Sequence, residues 1–280
     1  LKLADDLPKA FVVGCQKSGT TWLQLLLAAH PNICSRGEAC FGTVLLPLIK
    51  QVAQAYNQNQ RAGKHNTIRD SEVTLIARTA INSLFARWLD AEPDPGSIRL
   101  IAEKTPEHAV TLDALGALFP ESRVVHIIRD GRDGVVSGWR HNLRENETNF
   151  RSRFPTMAHY AAYFAQHHWT TYINTARSWG ARHPARYLEL RYEDLLAEPA
   201  GHTRDLLEFL GVNAGEADVR ECVERSSFRA LSGRDAGETD NSSHFRRGVV
   251  GSWESELDRD AVLAFERAAG PMMRQLGYAA

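Results

Sequence analysis

Apolar residues along the chain fall into short runs separated by longer stretches of helical period. Residues 10–14 (AFVVG) form an unbroken apolar run, the pattern of a strand buried on both faces. Residues 98–102, 123–128 (RVVHII) and 187–191 repeat that pattern. Between them, residues 21–30 (TWLQLLLAAH) predict a helix stopped by Pro31. Helical spacing also covers 73–89, 106–119 with Pro120 at its end, and 156–182. Asp133 reads as the N-cap of a helix after the 123–128 strand, and three further helical stretches fill most of the remainder. Strands alternating with crossover helices predict an α/β fold, a three-layer sandwich with a central parallel sheet and helices on both faces. No linker or internal repeat divides the chain, so residues 1–280 are expected to form one domain. In such folds ligands sit beyond the carboxyl ends of the strands.

Two polar segments interrupt the alternation. Residues 54–70 are poor in apolar anchors, and residues 232–252 are rich in Gly, Ser and charge. A loop of that length inside a compact domain is usually a lid, a binding loop or disordered. Composition narrows the function classes. With 280 residues, 43% hydrophobic and 24% charged, the chain has ordinary globular proportions. A net charge of −1 argues against a bulk electrostatic grip on nucleic acid or an anionic membrane. The run at 44–49 is broken by Pro47, and no stretch approaches the ~20 apolar residues of a membrane helix. The first residues lack the pattern of a signal peptide; the chain does not begin with Met, so whether a leader precedes it stays open. Cys15, Cys34, Cys40 and Cys222 form no CxxC and no zinc-like spacing with histidine. Free thiols, a cytoplasmic location and no metal are the expectation.

Only six of 33 basic residues are lysines, so a lysine inside a motif carries weight. The first apolar run leads into Cys15-Gln16-Lys17-Ser18-Gly19-Thr20-Thr21-Trp22 and then a helix. A tight strand-to-helix turn presents backbone N–H groups to an anion, and the helix dipole adds to them. Lys17 offers a mobile charge, and Thr20 and Thr21 offer hydroxyls. This is not a Walker A loop, because no GK[ST] follows and Lys17 precedes Gly19 by two residues. A second element places Arg129 at a strand end and Ser137 one turn into the next helix, suited to another phosphate. Arg129 could equally pair with Asp130 or Asp133. Phe245-Arg246-Arg247-Gly248 is a third basic element, in the glycine-rich segment.

Together these motifs resemble the 3′-phosphoadenosine-5′-phosphosulfate (PAPS)-dependent sulfotransferase family. The likeness runs through Lys17–Trp22, Arg129 and Ser137 at eight-residue spacing, then Arg191-Tyr192-Glu193-Asp194-Leu195, and ends at Arg246-Arg247-Gly248, covering roughly residues 10–255. It implies a P-loop NTPase-like sulfotransferase fold. It further implies that Lys17, Ser18, Gly19, Thr20, Thr21 and Trp22 bind the 5′-phosphosulfate. Arg129, Ser137, Arg246, Arg247 and Gly248 would then serve the 3′-phosphate, Tyr192 the adenine region, with Ser226 a nucleotide contact and Phe228 an adenine stacker. The product would be adenosine 3′,5′-bisphosphate (PAP), with no metal required.

Sulfuryl transfer to a hydroxyl needs charge stabilisation on the leaving oxygen and a base for the acceptor. Lys17 is the first candidate for the leaving oxygen and Lys104, in EKTP, the second, a context that also looks like the family's second active-site lysine. The steroid and phenol branch of the family carries His two residues after that lysine, where Pro106 stands here. Glycan- and tyrosine-modifying members place a Glu after the first helix, the position of Glu38. Glu38 therefore ranks first as base, His108 second and Glu107 third. His167-His168-Trp169 reads as core or groove lining. Residues 42–70 and 139–163 are expected to line the acceptor pocket, with Trp139, Phe150, Phe154, Tyr160 and Tyr163 suiting a ring-bearing alcohol. The acceptor is expected to be a hydroxylated small molecule, lipid or glycan. A P-loop nucleotide kinase or NTPase, and a non-catalytic nucleotide-binding relative, are the alternatives.

Overall fold

The computed structural model describes residues 2–60, 66–240, 243 and 245–278. Five strands, β1 (Lys9–Val13), β2 (Ile33–Gly37), β3 (Leu100–Lys104), β4 (Arg123–Ile128) and β5 (Tyr187–Arg191), form a parallel sheet in the order β2-β3-β1-β4-β5. Every residue of β1 and β3 is buried, as strands covered on both faces must be. Side chains alternate between two cores. Ala10 and Val12 point to one, with Leu23, Leu26 and Leu27; Phe11 and Val13 point to the other, with Ile81, Phe85 and Trp169.

The first core is roofed by α2 (Thr20–Ala28), α9 (Tyr192–Ala197), α10 (Pro199–Leu210) and α11 (Glu216–Arg225). The second lies under α4 (Asp70–Asp90), α5 (Leu112–Leu118), α6 (Gly131–Arg153), α7 (Met157–Tyr163), α8 (Thr171–Arg182) and α14 (Arg259–Leu276). Short helices α1 (Lys2–Asp6), α12 (Phe228–Ser232) and α13 (Trp253–Glu256), with α3 (Leu46–Gln58), complete the set. This is the expected helix–sheet–helix sandwich. Among the described residues no helix is long and apolar enough to cross a membrane.

Several expectations need correction. β2 was not anticipated: ICSRG shows too little apolar character, because this edge strand pairs on one side only, with β3. α3 extends to Gln58, so the polar segment expected from residue 54 begins as helix; residues 61–65 of it lie outside the described residues. The helix expected over 106–119 is a 3₁₀ turn, Pro106–Val110, followed by α5. Beyond β5 there are six helices among the described residues rather than three. The helix expected over 156–182 is continuous but carries a π-helical stretch, Phe164–Thr170, between α7 and α8. Asp133 is not an N-cap. Asp130 caps α6 by accepting from the Arg132 N–H, and Asp133 sits inside the first turn, free for other partners.

Candidate functional site

The carboxyl ends of β1, β3, β4 and β5 converge on one cavity of about 820 Å³. The chain leaves β1 through Gly14, where a side-chain carbon would stand 2.5 Å from the Ile127 carbonyl oxygen. It then turns through Lys17, left-handed at φ 69°, and Gly19 at φ 94°, which opens α2. A carbon on Gly19 would lie 2.5 Å from the Tyr192 ring, so only glycine admits this approach. Gln16, Lys17, Gly19, Thr20, Thr21 and Trp22 line the cavity, where the first-turn N–H groups of α2 lack helical partners. Ser18 is buried and does not line it. Burial, with some help from Arg144, lowers the Lys17 ammonium to about 8; Glu38 opposes that shift.

Glu38 follows the last residue of β2 in another left-handed conformation, φ 61°, and lines the same cavity. Its N–H donates to the Lys104 carbonyl at 2.5 Å, and Lys104 Nζ donates to its Oε1 at 2.5 Å. The Lys104 side chain is 4% exposed and that of Glu38 63%, so the lysine reaches the carboxylate from beneath. Lys104 itself does not line the cavity.

A buried network that sequence reasoning missed holds this turn. Glu103, fully buried, accepts from the Ala39 N–H at 3.0 Å and the Thr105 hydroxyl at 2.5 Å, and Thr105 Oγ1 accepts from the Cys40 N–H at 3.2 Å. His108 belongs to the same network. Its Nε2 accepts from the Gly42 N–H at 3.1 Å, which puts the proton on Nδ1, 3.0 Å from Glu103 Oε2. His108 is fully buried and away from the cavity, which corrects its candidacy as base: its one acceptor nitrogen is occupied. Glu107 lines the cavity and accepts from Gln16 Nε2 at 2.6 Å.

At the other end, the Arg129 guanidinium lies 4.3 Å from the Tyr192 ring centroid. Its Nη2 donates to Asp133 Oδ2 at 3.1 Å and to the Val249 carbonyl at 3.1 Å. The Asp133 carboxylate also accepts from the Gly251 and Trp253 N–H groups, at 2.9 and 3.0 Å, and so fastens the segment after Gly248 to the start of α6. Ser137, Arg246, Arg247 and Gly248 line the cavity too. Arg246 is committed to Glu256 through two bonds, 3.1 and 2.6 Å, whereas Arg247 stays 3.9 Å from that carboxylate. The Nε atoms of Arg129 and Arg247 are both buried with no hydrogen-bond partner, an unmet demand for an acceptor at this end. Between the two ends stand aromatic walls. Trp22 packs on Tyr192 at 5.2 Å and donates from Nε1 to the Ser226 carbonyl at 2.8 Å, and Phe228 lies against Gly248. Of the segment 232–252, residues 241, 242 and 244 lie outside the described residues.

A second arm of the cavity is bounded by Phe150, Phe154, Tyr160 and Tyr163, as expected, together with Phe164 and His168. Trp139 packs behind them instead, and none of the described residues of 42–70 reaches the cavity. The floor was legible but overlooked. Asp133, Ser137, His141 and Glu145 recur every four residues along α6 as one ridge and line the cavity, and Asn149 and Arg153 line it beyond a kink at Asn146, where the backbone leaves the helical conformation at φ −160°. His141 Nδ1 accepts from Arg144 at 3.0 Å; burial, then Lys17 and Arg144, lowers its pKa.

A family model described as the sulfotransferase family matches residues 8–216. Cytosolic sulfotransferase 3 of Arabidopsis thaliana is 26% identical over 178 residues, covering 58% of this chain and 55% of that protein, little more than half its length. Protein-tyrosine sulfotransferase 1 of Danio rerio is 22% identical over 276 residues, covering 98% of this chain and 73% of the relative. Among solved structures, mouse sulfotransferase SULT7A1 complexed with PAP superimposes with a TM-score of 0.57 at 17% identity, covering 98% of this chain and 90% of the other. The sulfotransferase domain of the Synechococcus PCC 7002 olefin synthase gives 0.54 at 19% identity, with 94% of each chain covered.

Proposed function

The chain belongs to the sulfotransferase family, and from that premise we propose that it moves a sulfuryl group from PAPS to a hydroxyl, releasing PAP. One observation carries the reading. A single cavity has an anion-binding turn at one end and, at the other, two arginines with buried, partnerless Nε atoms, with aromatic walls between. An adenosine phosphorylated at both ends needs two separated anion sites, and the residues present fit it. PAPS supplies the activated sulfuryl group on its 5′-phosphate.

The turn from Gln16 to Trp22 holds the 5′ end through backbone N–H groups and the Thr20 and Thr21 hydroxyls. Lys17 neutralises charge on the phosphate oxygen as its bond to sulfur breaks. Glu38 accepts the proton of the acceptor hydroxyl as the new S–O bond forms, and Lys104 holds that carboxylate in place. Arg129, Ser137 and Arg247 take the 3′-phosphate, and Tyr192, Ser226 and Phe228 the adenine. Arg246, which lines the same end, is bonded to Glu256.

The test is turnover of labelled PAPS over a panel of hydroxylated acceptors, with PAP titrated by calorimetry in the absence of magnesium. Micromolar PAP binding and label transfer are expected. Binding of ATP with magnesium, and none of PAP, would overturn the reading in favour of a nucleotide kinase.

A further inference from the structure

The second arm holds charge that sulfuryl transfer does not use. Glu107 is half-buried on its wall, and among the described residues its carboxylate accepts from neutral Gln16 without a cationic partner. A half-buried carboxylate left without a counter-charge is costly unless a ligand brings one. Beside it stands His168, which the π-helical stretch turns toward the cavity; such insertions recur at functional sites. His168 Nδ1 is buried with no hydrogen-bond partner. Its ring is boxed by Tyr163 at 5.4 Å, Phe164 at 5.9 Å and Tyr172 at 5.8 Å. Burial, then His167, lowers the pKa of His168, with Glu107 opposing the shift.

A carboxylate, an unpartnered imidazole nitrogen and aromatic faces together suit a cationic hydrogen-bond donor. Glu145 also lines the cavity, with Arg144 3.5 Å from its carboxylate. Arg153, exposed at its edge, is bonded to the Tyr163 hydroxyl at 2.8 Å, and its guanidinium lies 4.7 Å from that ring's centroid and 5.1 Å from that of Phe154, so these outer faces already carry a cation of the chain. We propose that this arm is an ammonium subsite, with Glu107 as its anchor and Phe164 and His168 as its walls, so that the preferred acceptors are hydroxylated amines. This rests on the sulfuryl-transfer reading and specifies the substrate class of the same site.

The experiment compares three acceptors on one scaffold: 4-(2-aminoethyl)phenol, 4-ethylphenol and 3-(4-hydroxyphenyl)propionate. The amine should exceed 4-ethylphenol in kcat/KM by about tenfold or more, chiefly through KM, with the carboxylate poorest. In Glu107→Gln the amine should fall to the level of the neutral phenol. An amine no better than 4-ethylphenol, a carboxylate that outperforms both, or an advantage that survives Glu107→Gln would overturn the subsite. Calorimetry of the three compounds on the PAP-loaded protein reads the same order without turnover, and equal or absent binding of the amine overturns it equally. PAP titrated alone tests the parent reading separately: PAP binding without amine preference removes only the subsite, and no PAP binding removes the sulfuryl-transfer reading.

Discussion

Binding of PAP should draw protons from solution, in an amount that the burial of Lys17 sets. Burial lowers this ammonium to about 8. At that value Lys17 is about one-tenth neutral at pH 7, about half at pH 8 and about nine-tenths at pH 9. An anion placed against it favours the charged form, so binding should take up about 0.1, 0.5 and 0.9 proton at those three pH values. The ligand adds nothing above pH 7.5, since the second phosphate pKa is about 6. Lys9, also lowered to about 8 by burial, is bonded to the Ala4 and Asp5 carbonyls at the opposite end of β1 and stays unchanged. Calorimetry at each pH in two buffers of different ionisation heat gives the proton count directly, and Lys17→Met should abolish its rise with pH. The same shift has a stability sign. Between about 8 and 10.4 native Lys17 binds fewer protons than the unfolded chain, so the ligand-free protein should gain stability as pH rises through that window. Binding heats independent of buffer at pH 8 and 9, or an unchanged count in Lys17→Met, would refute the assignment.

Glu38 separates function from folding. Glu38→Gln should lower turnover by about 100-fold or more with little change in PAP affinity, and near-normal rates would move the base elsewhere. Glu38→Gly should be as inactive, yet relief of the left-handed backbone should offset part of the lost ion pair and leave the melting temperature at or above that of Glu38→Gln. Arg129→Ala should weaken PAP binding by roughly 10- to 100-fold, as expected for losing a hydrogen bond to a charged group, and wild-type affinity would remove it from the 3′-phosphate site. Replacing His108 by Phe leaves the buried Gly42 N–H without its acceptor and should cost about 1–3 kcal/mol in denaturant unfolding, with the shape of the kcat–pH profile unaltered. A profile that loses a limb would restore His108 as a titrating participant.

What was legible in the sequence follows from how each element is stabilised. β4 and β5 were read at their observed bounds and β1 within one residue, because buried parallel strands announce themselves as apolar runs. β2 buries only Ile33, Cys34 and Ser35 before it opens to solvent at Arg36 and Gly37, so its pairing with β3 rather than its composition makes it a strand. α3 escaped for a related reason: it buries only Leu46 and Ala53, while Leu48, Val52 and Tyr56 are exposed. The candidate site was legible where a backbone motif carries it, as at 15–22, and where spacing does, as for Arg129 and Ser137. The network under Glu38 was not, since neighbouring residues in 103–108 diverge, Lys104 toward Glu38 and His108 toward Gly42. The ridge along α6 could have been found by counting polar residues every four positions.

Among the described residues, Lys17, Glu38 and Cys40 are the three non-glycine residues with positive φ. A left-handed conformation costs a residue with a side chain roughly 1–2 kcal/mol, and it persists only where surrounding contacts over-determine it. Those contacts are visible. Glu38 is fixed by the Lys104 carbonyl and ammonium, and the Ala39 and Cys40 N–H groups by Glu103 and Thr105, all from β3 and the residue after it. β3 in turn lies beside β1, whose end carries the Lys17 turn. The two strained turns therefore hang from adjacent strands of one sheet, and sheet register sets the spacing between the Lys17 ammonium and the Glu38 carboxylate, to which the proposed function gives the leaving oxygen and the acceptor proton. A loose in-line transfer gains most from such fixed placement, because the groups need no reorganisation as charge moves. The strain is thus spent where positioning is the chemistry, and the buried Glu103 network is what keeps it from relaxing.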